Sequence, residues 1–396
     1  MTGFAVRLAA LMARRGMGVR ALARQVPGNH ALISRYLNGH QAVSPGMAVR
    51  LDGLLGAGGE LVALACPAQA GAGAGEEVAA VDLARLVTAS DVGAATVERV
   101  EHAVDDLAVA YPGTTPSVLL ARTRAHLGYV TALLERRCTL AEHGRLLIAA
   151  GWLSLLAATS LIDLHRRAAA LAHLRTAVQI ARETGHAEIT AWCLETRAWH
   201  LLITGDYLAA ARLAQAAQRA APRSGSALIQ ATAQEGRAWA RLGAAPETRE
   251  ALARTEALVS ALPQPDQPEH HYKYDPAKAD SYVATTLSWA GDPAAVDTSR
   301  QVLARMESSA DALPRPRRAA LARLDLALAL ASTGQGDEAA AVAMEALTSG
   351  LIVQSSFWRA AEVIDAVDSH GAPGAADLRE AYQEFCQPAA LPPGAS

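Results

Sequence analysis

Lysine and asparagine occur only twice each in this chain of 396 residues, phenylalanine three times, and aromatic residues make up 4% of it. With so few rings, and with Ala and Leu dominant, a core is expected to form from helices that approach closely through small side chains. Val, Ile, Thr and Tyr form no sustained alternating runs, so an all-α chain is read and strands are not. The four cysteines, Cys66, Cys138, Cys193 and Cys386, stand far apart without a CxxC pair. That spacing suggests neither a zinc site nor a disulfide framework, and it suits a reducing compartment. Gly-rich phosphate loops, a GxSxG elbow and an HExxH pair are all missing, so no enzyme signature is found and no cofactor is implied. The apolar run from Leu146 to Ile162 falls short of the roughly 20 residues that span a membrane. A helix buried on all sides in a helical array explains it without a bilayer. Arg and Gly interrupt the first apolar residues, which do not read as a secretory leader, and a cytoplasmic protein is expected.

What is present is unevenly charged. Residues 1–60 hold Arg7, Arg14, Arg15, Arg20, Arg24, Arg35 and Arg50 against Asp52 and Glu60, a net +5 in a chain whose total is −3. A basic nucleic-acid-binding module joined to an acidic body would show this contrast. The expected organisation is a small domain over 1–65, a linker over 66–78, a long helical domain over 79–387 and a frayed tail over 388–396. The linker is read from alternating Gly and Ala, which offer no apolar face and lose much backbone entropy on ordering.

Within the first domain, residues 19–26 read as one amphipathic helix, Pro27-Gly28 as a turn, and Asn29 to Gly39 as a second helix with Asn29 as its N-cap and Gly39 as its stop. Helical spacing turns Leu32, Ile33, Tyr36 and Leu37 to the core and leaves His30, Ala31, Ser34, Arg35 and Asn38 outside. The segment Ile33-Ser-Arg-Tyr-Leu-Asn-Gly39, with Ser44 and a closing apolar helix, resembles the lambda-repressor-like, xenobiotic-response-element-type helix-turn-helix family over about residues 4–56. The resemblance implies a five-helix domain whose second motif helix enters the major groove of double-stranded DNA. Asn29, His30, Ser34, Arg35 and Asn38 would then meet base edges, while Arg20 and Arg24 on the preceding helix would meet phosphates. Val19 stands where that family usually has Gln, and Pro27-Gly28 departs from its usual turn.

Farther along, Thr204-Gly-Asp-Tyr207, Leu242-Gly-Ala-Ala-Pro246, Ala290-Gly-Asp-Pro293 and Thr333-Gly-Gln-Gly-Asp337 each separate two apolar-periodic helices, and their glycines are 38, 48 and 43 residues apart. A helical hairpin needs Gly where the backbone turns left-handed and Asp or Pro to open the next helix. The unit from Trp192 to Pro222, with Ala210, Ala214 and Ala217 on its second helix, resembles the tetratricopeptide repeat. The intervals exceed the standard ~34 residues, so a degenerate α-solenoid of tetratricopeptide-like hairpins is expected.

Together the two resemblances imply a transcription regulator similar to those of actinobacteria, as 34 Arg against two Lys also suggests. It would be a homodimer whose array binds a peptide, a small-molecule effector or a partner protein. Peptide receptors of this type hold ligand backbones with Asn, and both asparagines here lie in the first domain, which weakens the peptide reading. Candidate ligand residues are Glu195, Trp199, Gln234, Arg237, Tyr274 and Tyr282. The six tryptophans read mainly as packing between hairpins. The His270-His-Tyr-Lys-Tyr274 stretch reads as a solvated loop or pocket lid and not as a metal site. The alternative to a regulator is a protein–protein adaptor whose first domain no longer reads DNA sequence.

Overall fold

The computed structural model describes residues 3–26, 29–65, 88–260, 262–263, 266–267, 269–308, 316–372 and 374–386. The linker expected over 66–78, the Pro27-Gly28 turn and the tail expected over 388–396 lie outside the described residues. Among the described residues all regular structure is helical, in nineteen α-helices and two short 3-10 turns. The chain divides into two compact units, Met1–Val87 and Thr88–Ser396.

The first unit contains α1 (Gly3–Arg14), α2 (Val19–Ala23), α3 (His30–Leu37), α4 (Pro45–Leu55) and α5 (Glu60–Ala65). Leu8, Leu22, Ile33, Leu51 and Leu61, one from each helix, are almost fully buried in a common core. Asp52 on α4 closes the fold from below, because its carboxylate accepts the Gly59 and Leu61 backbone N–H groups at 2.7 and 2.8 Å. It thereby satisfies donors at the start of α5 that have no helical partner of their own. Helix α2 ends three residues earlier than the sequence pattern suggests, with Arg24 as its C-cap. The early end lets Val26 turn into the core, where it is buried.

The second unit is a series of hairpins. It begins with α6 (Ala94–Ala110) and α7 (Pro116–Leu134), followed by α8 (Leu140–Asp163) and α9 (Arg167–Thr184). Next come α10 (Ala187–Ile203) with α11 (Tyr207–Ala220), and α12 (Ser226–Arg241) with α13 (Ala245–Val259). The last three pairs are α14 (Pro276–Ala290) with α15 (Ala295–Ser308), α16 (Pro316–Ser332) with α17 (Gly336–Thr348), and α18 (Phe357–Ser369) with α19 (Ala375–Cys386). Gly205, Gly243, Gly291 and Gly334 occupy the hairpin turns with φ of 86°, 68°, 65° and 82°, a region in which a side chain is strained. Asp206 caps α11 by accepting the Ala209 N–H at 3.2 Å. Ala210, Ala214 and Ala217 on α11 are fully buried, and at Gly236 on α12 a side chain would begin 3.2 Å from Ala251 of α13. Small residues therefore set how closely the helices approach.

The first helices of successive hairpins, from α8 to α18, each pack against the next and form an inner row. Helix α8 has the length and mean hydropathy, 1.8 over its best window, of a membrane span, yet most of that window is buried inside the array. The row curves until its ends meet. The turn Tyr111–Gly113 touches α16, and the turn Gln354–Ser356 touches α8. At this seam the Tyr111 hydroxyl and Ser355 Oγ both donate to the Asp163 carboxylate, at 2.9 and 2.5 Å. Arg317 donates to the Thr114 carbonyl at 2.8 Å, although 203 residues separate the two in sequence.

Candidate functional site

Two sites carry the candidate residues, one in each unit. In the first, α3 is fixed by its own cap, since Asn29 Oδ1 accepts the Leu32 N–H at 3.0 Å. Ile33 and Tyr36 anchor one side of the helix in the core, with Leu32 and Leu37 half-buried beside them. The opposite edge presents Asn29, His30, Arg35 and Asn38 to solvent and Ser34 half-buried. Asn38 Nδ2 donates weakly to Ser34 Oγ at 3.4 Å. Arg20 on α2 and Arg24 at its end are also exposed. Val19, the departure from the family pattern, is half-buried against the core.

The basic charge of this unit is not cancelled internally. Glu60 pairs with Arg7, and Asp52 is occupied by backbone donors. Arg20, Arg24 and Arg35 therefore have no acidic partner among the described residues.

Residues 4–65 match a family model described as a helix-turn-helix domain. Comparison with curated proteins and with solved structures finds no match to the chain. The match describes the first unit. It places α2 and α3 inside a helix-turn-helix domain and says nothing of the helical array.

In the second unit the inner row lines a cavity of about 210 Å3 that is partly open to solvent. Of the six ligand candidates, Glu195, Trp199, Arg237 and Tyr282 line it. Gln234 and Tyr274 do not. Gln234 is spent beneath the wall, where its Oε1 accepts from Arg237 Nη1 at 3.0 Å. The Tyr274 ring is buried with Ile229 and Ala279. The reading of tryptophan as mainly packing is corrected in part, since Trp192, Trp199 and Trp358 all face the cavity. The reason is geometric: they sit on inner helices, whose exposed faces curve round to meet one another.

The stretch from His270 to Tyr274 is no solvated loop. His270, Tyr272 and Tyr274 are 5%, 5% and 4% exposed. His271 stacks on Tyr111 with ring centroids 4.2 Å apart, and Tyr272 lies 4.8 Å from Trp152. Both ring nitrogens of His270 are occupied, Nε2 by Asp105 at 3.0 Å and Nδ1 by the Tyr272 N–H at 3.2 Å. Burial lowers the pKa of His270, against the hydrogen bond to Asp105, and lowers that of His271 well below the usual histidine value. Both rings thus belong to the cavity wall as neutral groups.

Sequence reasoning missed several groups around this cavity. Arg359 pairs with Asp325, and burial together with Arg237 and Arg241 pushes its pKa down to about 9. Arg241 pairs with Glu362 while its guanidinium lies 4.3 Å from the Trp289 ring centroid. Arg318 is held by Glu269 at 3.2 Å and Asp275 at 3.3 Å. Gln230 Nε2 donates to Glu195 and to the Tyr282 oxygen, both at 2.9 Å. Burial raises the pKa of Glu195 and of Asp163 despite these hydrogen-bond donors. One signal was available in the sequence: Lys278, one of two lysines in the chain, stands four residues after Tyr274, the end of the aromatic stretch.

Proposed function

We propose that the protein is a sequence-specific DNA-binding transcription regulator whose helical array senses an effector. The observation that carries this reading is the exposed edge of α3, lying in the matched helix-turn-helix domain and bordered by arginines without acidic partners. Arg35 has the donor fork that matches guanine O6 and N7, and Asn38 can meet adenine. Arg20 and Arg24 supply sequence-independent attraction to phosphates.

A single α3 edge reads few bases, so the proposal includes a homodimer that presents two such edges to half-sites about 10 base pairs apart or a multiple of that spacing. The array, a tetratricopeptide-like solenoid of the kind found in actinobacterial regulators, would supply the effector site and set that spacing. A linker over 66–78 would join the two parts, with the protein working in the cytoplasm.

Selection of bound sequences from random DNA by the full-length chain tests the proposal. The expected result is a paired motif with regular half-site spacing. Uniform recovery of sequences, with binding that vanishes at moderate salt and a stable protein partner in its place, would favour an adaptor.

A further inference from the structure

We infer that the cavity takes a small anion carried on a flat aromatic body, with Arg237 and Lys278 recognising the charge and the walls formed by Trp192, Trp199 and Tyr282. This rests on the effector reading above and names the chemical class of that effector.

Five cations, Arg237, Lys278, Arg317, Arg318 and Arg359, line the cavity against four acids. Arg318 and Arg359 have carboxylate partners, as described. Arg237 has none among the described residues: it is 6% exposed, its one polar partner is the neutral Gln234, and its Nε is buried without any. The faces of Tyr282 and Trp289, 4.9 and 4.7 Å from its guanidinium carbon, soften this but carry no net charge. Lys278 is half-buried and likewise forms no ion pair among the described residues. Its ammonium lies near the rings of Trp192, Tyr274 and Tyr282, at 5.8, 5.7 and 6.0 Å. A buried cation without an ion-pair partner, as Arg237 is, is among the costliest features a fold can carry, and a ligand anion removes the cost.

Of the four acids that line the cavity, Glu269 and Asp325 are paired with Arg318 and Arg359, while Asp163 and Glu195 form no ion pair with Arg237 or Lys278, although Glu195 acts on both through space. Asp163 is committed to the Tyr111 and Ser355 hydroxyls across the seam, and Glu195 accepts from Gln230. Neither lies within 4.0 Å of Arg237 or Lys278. A cationic ligand would meet the same aromatic faces already occupied by Arg237 and Lys278, and it would be repelled.

The size of the cavity, about 210 Å3, narrows the class further. At ~10–15 Å3 of such space per water, it suits a ligand on the order of fifteen heavy atoms, the size of one or two fused rings with a short acidic arm. Arg237 offers a planar fork to a carboxylate, and Lys278 offers a point charge.

Calorimetric titration of the full-length chain with indole-3-acetate, indole-3-acetamide and tryptamine tests the inference, since the three share a ring and differ in charge. The acid is expected to saturate the protein, the amide to bind at least tenfold more weakly, and the amine not to bind. Arg237→Gln should weaken the acid at least tenfold and leave the amide unchanged. The thermal midpoint of that unliganded variant should hold or rise, because an unpaired buried charge has been removed, whereas a structural role would lower it. Lys278→Gln, at a half-buried position, should weaken the acid in the same direction and guards against a folding defect in the first variant. Equal or tighter binding of the amide or amine, acid binding indifferent to both substitutions, or no heat from any of the three would overturn the inference. DNA affinity measured alongside separates it from the effector reading. An amide or amine that shifts DNA affinity sinks the anion and keeps the effector, and acid binding that leaves DNA affinity untouched does the reverse.

Discussion

Arginines without acidic partners occur in both units, and their surroundings give them opposite meanings. On the α2–α3 surface Arg20, Arg24 and Arg35 are exposed, so water solvates them and their field extends outward over roughly a Debye length, about 8–10 Å at ordinary salt. In the array Arg237 is buried, and its field acts within a cavity where it forms no ion pair with any described residue. The first arrangement costs the fold little and suits a long polyanion met at the surface. The second costs the fold and suits a small anion that enters it.

The contrast predicts different responses to substitution. The largest effect belongs to a buried pair. Asp325→Ala would strand Arg359 and leave Thr285 Oγ1 only the Ser281 carbonyl as acceptor, so the array should lose about 3–5 kcal/mol of unfolding free energy in denaturant titration. If the loss is below about 1 kcal/mol, comparable to a surface pair, the buried electrostatics are weaker than described.

Acidification gives an intermediate effect. Burial depresses the pKa of His270 and His271 in the folded state, so the unfolded chain binds more protons than the folded one at pH values below the ordinary histidine range. Their contribution is intact above about pH 6.5 and is lost as the pH falls below it, with a slope of at most ~1.4 kcal/mol per pH unit for each group. Asp163 and Glu195, whose pKa values burial raises, act in the opposite direction, so the histidine contribution is read by difference. Between pH 7 and 5 the thermal midpoint of His271→Phe should fall less, or rise more, than that of the unsubstituted chain, and equal slopes would show the His271 ring to be solvated.

The smallest effect on stability belongs to the surface. Arg20→Ala, Arg24→Ala and Arg35→Ala should each shift unfolding by less than about 0.5 kcal/mol, because no ion pair is broken. Arg20→Ala and Arg24→Ala should nevertheless weaken binding to all DNA sequences alike and reduce the salt dependence by about one ion each.

How much of this was legible in the sequence depended on how local the cause was. The turns at Gly205, Gly243, Gly291 and Gly334 were readable because a left-handed residue between two apolar periodicities is satisfied by Gly within its own neighbourhood. The outward edge of α3 was readable because Asn29, Ile33 and Tyr36 fix the helix's start and rotation over eight residues. The end of α2 was misjudged, since nothing in the apolar pattern distinguishes a helical Val26 from one that turns inward after the helix. The cavity was only partly legible. Tyr111, Asp163 and Ser355 meet through the accumulated curvature of the whole array, so no window of sequence contains the seam. Gln234 shows the limit at the level of a single side chain. It lies on the same helix as Arg237 and one turn away, and it supports that residue from below instead of facing a ligand.

Whether the α3 edge reads bases is decided by fluorescence anisotropy of Arg35→Ala on the selected motif. The expected loss is about 1–3 kcal/mol, and it should disappear when one particular base pair of each half-site is already changed. Unaltered affinity, or an equal loss on every sequence, would contradict base reading by α3.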